Sequence, residues 1–130
     1  MKKISFLLFI TLFYITASAQ HNKTDSAQRI FRYIDQMPEA PYDIQQYVGA
    51  HLKYPPKARK ENMEGKVVVS FIVTITGRID SAHVVSSYIG GGLEEEAVRI
   101  VESFPKWKPG LLDGKPVNVY YSLPLIFKIK

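Results

Sequence analysis

Lys115-Pro116-Val117-Asn118-Val119-Tyr120-Tyr121-Ser122-Leu123-Pro124-Leu125-Ile126-Phe127-Lys128-Ile129-Lys130 reads as one long β-strand. Val117, Val119, Tyr121, Leu123, Leu125, Phe127 and Ile129 recur at period two, the spacing of a single strand face. Pro124 falls on the other face. It has no N–H to give a neighbour, so it belongs at a sheet edge or a bulge. A long edge strand presents unpaired N–H and C=O groups, and these can pair with a strand added from another chain. The spacing therefore predicts an edge suited to holding an extended peptide.

The clearest strand besides it is Val67-Val68-Val69-Ser70-Phe71-Ile72-Val73-Thr74-Ile75, β-branched and aromatic throughout, with Val67, Val69, Phe71, Val73 and Ile75 on one face. Thr76-Gly77 is a tight turn that leads into a second hairpin strand within Arg78 to Ser87. There Ala82 and Val84 share a face while Ile79 is out of phase with them, a slip that a β-bulge explains.

Helical signals fill the intervals. Asp43 with Gln46 three residues on forms a capping-box pattern, and Ile44, Tyr47, Val48 and Leu52 lie on one helical face. Tyr54-Pro55-Pro56 ends that helix, and Pro56 suits the first turn of another carrying Ala58 and Met63 inward. After Gly90-Gly91-Gly92, the residues Glu94, Glu95 and Glu96 occupy a helix's first turn, where negative charge opposes the dipole. Leu93, Ala97, Ile100, Val101 and Phe104 form its apolar stripe. Ile30 to Ile34 reads as a small strand, and Met37-Pro38-Glu39-Ala40-Pro41 as a stiff turn. The predicted fold is α+β. A three-stranded antiparallel sheet, extended by the short N-terminal strand, carries its helices on one face.

Residues 1–19 read as a signal peptide. Lys2 and Lys3 precede an uncharged apolar run from Ile4 to Thr16, and Ala17-Ser18-Ala19 is a cleavage signature. The run is shorter than the roughly 20 residues that span a bilayer. The expected location is the periplasm; the alternative is an inner-membrane anchor over residues 4–16. Residues 20–29 are a polar, flexible leader, and residues 30–130 form the folded domain. The chain of 130 residues has no cysteine, so an exported domain must hold without disulfides. Its net charge of +5 falls by two with the loss of Lys2 and Lys3, and the remaining excess is dispersed. That argues against nucleic acid, whose partners carry a clustered basic patch.

Chemistry finds no foothold. The three histidines, His21, His51 and His83, are far apart and form no HxxxH pair, so no metal site is expected. The triple glycine lacks the ending of a phosphate-binding loop, and the glutamates after it would repel an anion. Asp80 and His83, three apart on a strand, are expected on opposite faces. No residue stands in a nucleophile motif. Trp107 is expected to close the core at a loop, and Tyr120, opposed to core-facing Tyr121, to be exposed. The chain is not expected to be an enzyme or to need a cofactor or small-molecule substrate.

The combination of Tyr54-Pro55 with Ala58, Glu64-Gly65-Lys66-Val67-Val68-Val69, Leu93-Glu94-Glu95-Glu96-Ala97, Pro105-Lys106-Trp107-Lys108-Pro109-Gly110, Gly114-Lys115-Pro116-Val117 and Leu123-Pro124-Leu125-Ile126-Phe127-Lys128 resembles the TonB C-terminal domain family. The likeness covers about residues 30–130. It implies a periplasmic module coupling inner-membrane energy to outer-membrane receptors, whose last strand pairs with the receptor's N-terminal TonB-box segment. Carried onto this sequence, it implies Asn118, Tyr120, Ser122, Pro124 and Ile126 as partner-binding residues. The chain departs from a full transducer, which keeps an uncleaved membrane helix and a long proline-rich spacer. Residues 20–30 reach only about 30 Å even as extended polyproline II. Two functions follow: binding of a receptor peptide by strand addition, in support of TonB-dependent transport, or self-association as a periplasmic adaptor through a homodimer.

Overall fold

The computed structural model describes residues 29–130; the signal segment and nearly all of the leader lie outside them. The elements run β1 (Ile30–Phe31), α1 (Ile44–His51), α2 (Pro56–Lys60), β2 (Gly65–Val73), β3 (Ile79–Val84), α3 (Leu93–Glu102), β4 (Gly110–Leu112) and β5 (Lys115–Phe127).

The antiparallel pair β2–β5 is the spine. Nine residue pairs align it, from Gly65 opposite Phe127 to Val73 opposite Val119. Period-two apolar residues on both strands then fall on one face. Val67, Val69, Phe71 and Val73 of β2 are buried with Val119, Leu123, Leu125 and Phe127 of β5. The helices cover that face. Leu93, Ala97, Ile100 and Val101 of α3, Val48 of α1 and Ala58 of α2 join the same buried cluster as Phe71 and Phe127. The α+β class with helices on one face holds. Asp43 caps α1 as its spacing predicts, its Oδ1 accepting the Gln46 N–H at 3.1 Å.

The strands differ from expectation in three ways. β2 stops at Val73, and Ile75 is exposed in the turn instead of continuing the buried face. A fifth strand, β4, pairs antiparallel with the start of β5. Asp113-Gly114 is the tight turn joining them, with φ of 50° and 76° at its two residues. Positive φ at both is the primed geometry that suits the strand twist. Third, β1 is only Ile30–Phe31 and pairs parallel with β5. The sheet order is β1-β5-β2-β3, so β5 is not the outermost strand.

The bulge in β3 is present. Two steps along β2, from Ser70 to Ile72, match three along β3, from His83 to Asp80, and Ser81 takes a φ of 53°. The extra residue brings Ile79, Ala82 and Val84 together against the core. It also corrects the expectation for Asp80 and His83. They stand across from Ile72 and Ser70, which share a face, so they lie on the same side of the sheet.

The β2–β3 turn is locked from outside. The Gly77 C=O accepts the Trp107 N–H at 2.9 Å, and Thr74 closes the turn by accepting from Gly77. Trp107 is 3% exposed and lies at the core as expected, edge-on to Phe71 and Tyr121. Its Nε1–H donates to the Tyr42 hydroxyl at 2.9 Å. Burial pushes the Tyr42 phenol above its ordinary pKa, and the Trp107 bond offsets only part of that push.

Candidate functional site

Which way the β5 backbone turns follows from its neighbour. Val68 accepts from the Val85 N–H and donates to the Ser86 hydroxyl, so both its backbone groups point to the β3 side. Val68 pairs with Pro124. In an antiparallel ladder the two members of such a non-bonded pair both turn their groups away from each other. Pro124 therefore faces outward, where its missing N–H costs the sheet nothing. By the same alternation Asn118, Tyr120, Ser122 and Ile126 turn outward, and Tyr121, Leu123 and Leu125 turn to β2.

The outward side is occupied only at its start. β1 pairs there opposite Asn118 and Val119, while β4, opposite Lys115 to Val117, lies on the β2 side: Leu111 gives its N–H to Gln36, so its partner Pro116 turns away from β4 as Pro124 turns away from β2. Beyond Val119 no strand pairs on that side among the described residues. The open edge thus runs from Tyr120 to Ile126. Ser122 and Ile126 offer N–H and C=O, and Pro124 offers C=O alone. Asn118 is set apart from the other four residues: its backbone faces β1, and its Oδ1 accepts the Ile75 N–H at 3.0 Å. Ser122, Pro124 and Ile126 are exposed, and Ile126 keeps 71% of its surface.

Tyr120 is half-buried, and Arg32 lies over its ring at 4.9 Å. Arg32, Tyr33 and Met37 arch past the end of β1 and, with Ser70, Tyr120 and Ser122, line a groove of about 280 Å³ at the head of the open edge. Tyr33 is 90% exposed there. Sequence reasoning took residues 30–34 as a strand and missed these side chains. Only the parallel pairing with a strand nearly ninety residues away places them beside Tyr120.

The other sheet edge, β3, is broken by its bulge, which twists an edge away from pairing. The remaining polar groups are structural. Glu94, only 6% exposed, accepts the Gly90 N–H at 2.7 Å and the Ile89 N–H at 3.2 Å. A carboxylate from the chain itself thus holds amides that an anion would need at the glycine run. Glu96 accepts the Arg99 Nε–H at 2.8 Å and the Lys53 N–H at 2.8 Å. Burial alone would raise its pKa, but these bonds outweigh it and hold the carboxyl below its ordinary value. His51 bonds the Tyr47 carbonyl and His83 the Ser81 carbonyl, while His21 lies outside the described residues. No trio of metal-ligating side chains gathers among the described residues.

A family model described as Gram-negative bacterial TonB protein C-terminal matches residues 50–129. Among solved structures, the Pseudomonas aeruginosa TonB CTD is 26% identical over 75% of this chain and 90% of that one, with a TM-score of 0.52. The Helicobacter pylori TonB-CTD is similar in two solution structures. The longer is 26% identical over 67% of this chain and 78% of its own length, and the shorter 27% identical over 65% and 88%; both have a TM-score of 0.51. No curated protein matches. With the family match spanning α2, α3, the β2–β5 spine and the open edge, the chain belongs to the Gram-negative bacterial TonB protein C-terminal family.

Proposed function

We propose that this domain binds an extended segment of an outer-membrane receptor by adding it as a strand to the Tyr120–Ile126 edge of β5, in support of TonB-dependent transport. The observation that carries the reading is the outward turn of Ser122 and Ile126 on a strand that β2 anchors on its other side. Main-chain bonds supply affinity in this mode, and alternate side chains supply selectivity. Tyr120, Ser122, Pro124 and Ile126 are the side chains that flank the added strand. Asn118 acts at one remove, by holding the Ile75 turn at the end where β1 stops. The role is binding and not catalysis, and the place is the periplasm, reached through the signal over residues 1–19.

Calorimetric titration of the folded domain with N-terminal receptor peptides from the same organism tests the reading. Saturable one-to-one binding is expected. If no peptide binds and sedimentation shows a tight dimer, the edge serves a second copy of the chain, and the adaptor function replaces transport.

A further inference from the structure

Arg32 is the charged side chain lining the groove at the head of the open edge; the groove has no carboxylate in its lining. Its guanidinium rests on the Tyr120 ring, and among the described residues no carboxylate forms an ion pair with it. Stacking on the ring leaves the rim of the guanidinium, with its N–H donors, directed outward. Ser70 and Ser122 add hydroxyls to the same wall. On the sheet face bearing Tyr120 and Ser122, the acidic residue Asp80 is on β3, two strands from β5. At roughly 4.8 Å per strand it would stand about 14 Å from a strand added outside β5. That exceeds the screening length of about 8 Å at physiological salt, so Asp80 does not offset Arg32 for such a guest, and the exposed Asp35, between Tyr33 and Met37 in the chain, neither lines the groove nor forms an ion pair with Arg32.

We propose that Arg32 selects an acidic partner: a strand that carries a carboxylate side chain where it passes the Arg32–Tyr120 stack, next to the end of β1. The inference rests on the strand-addition reading and names the chemistry of its occupant. β1 ends at Phe31, so an added strand begins beside Arg32, and its terminal side chain enters the groove. An aspartate or glutamate there meets a guanidinium that no described carboxylate pairs, beside two serines. A lysine or arginine meets repulsion.

Three valine- and threonine-rich octapeptides, acetylated and amidated to remove terminal charge, test this. One carries a glutamate at its N-terminal end, one at its C-terminal end, and one glutamine at both ends. One glutamate peptide should bind the wild-type domain about three- to fivefold tighter than the glutamine peptide at low salt, the range of an exposed ion pair. The difference should vanish at high salt and in Arg32→Gln, and persist in part in Arg32→Lys, which keeps the charge but loses the planar stack. Affinity for the glutamine peptide should be the same in all three proteins. Equal binding of the three peptides, or a preference that survives Arg32→Gln, overturns the role of Arg32 and leaves strand addition intact. If none of the three binds wild type, strand addition itself falls, and the inference with it.

Discussion

Gly77 and Trp107 touch through their backbones: a β-carbon built on Gly77 would lie 1.9 Å from the Trp107 carbonyl oxygen. The β2–β3 turn and the loop after α3 are thereby fixed to each other with no side chain between them. Gly77 also has a φ of 80°, a region that costs an L-residue about 1–2 kcal/mol.

Gly77→Ala should therefore destabilise the domain by more than that strain alone, at least ~2–3 kcal/mol. Denaturant unfolding measures it. Near-UV dichroism should change as well, because Trp107 must move. A variant as stable as wild type would mean that the turn and the loop do not meet.

Phe71→Ala should cost about 3–5 kcal/mol. The ring is fully buried at mid-face of β2 and packs against Phe104, Trp107 and Tyr121. A loss under about 1 kcal/mol in urea unfolding would show that the assigned core face is inverted.

Ser122→Pro should abolish peptide binding while the domain stays folded. Ser122 turns outward like Pro124, so proline there removes a donor from the open edge and none from the β2–β5 ladder. Tyr121→Pro is the contrast, since it removes a donor directed at β2 and should unfold the spine. Circular dichroism and calorimetry on the two variants separate the outcomes. Unchanged binding by folded Ser122→Pro would remove this edge as the site.

Acid should weaken the fold partly through Glu96. Its folded pKa lies below its ordinary value, so the native state binds the proton less readily than the unfolded chain. Its contribution is in full force above the unfolded carboxyl pKa and drains away as pH falls through the folded one. Glu96→Gln should lower stability at neutral pH and flatten the acid limb of the stability curve. Thermal unfolding from pH 7 into the acid range reads both, and an unchanged acid limb would place the pH dependence elsewhere.

Much of this architecture is written locally. The alternation in Val67–Val73 and Val117–Phe127 survives because the helix-covered face of each strand is buried while the other face, Ile72 apart, is not, so a slip of one residue would turn the buried set to water. The Asp43 cap and the α3 stripe depend on neighbours within a few residues. The phase error at Ile79 was visible because a bulge disturbs period two. The unread parts depend on distant pairing. Ile30–Phe31 is too short to announce a parallel partner, and Gly110–Leu112 is a strand because Asp113-Gly114 folds it onto β5. The candidate edge was legible as a strand with an outward proline. That its first residues are already covered, and that Arg32 arrives beside Tyr120, depended on β1 and could not be seen from within β5.

Pro124 has a second effect, on what happens when copies of the chain meet. Leu123 to Phe127, Pro124 apart, is a short apolar run of high β-propensity on an open edge, the kind of segment that stacks into fibrils. Stacking requires every outward N–H to find a carbonyl in the next copy, and at Pro124 there is none. The break falls inside the run, so each added copy inherits the same missing bond. Lys128 and Lys130 add like-charge repulsion at its end, as flanking gatekeepers do. The edge proposed to take one short guest strand thus resists growing into a ladder of its own copies.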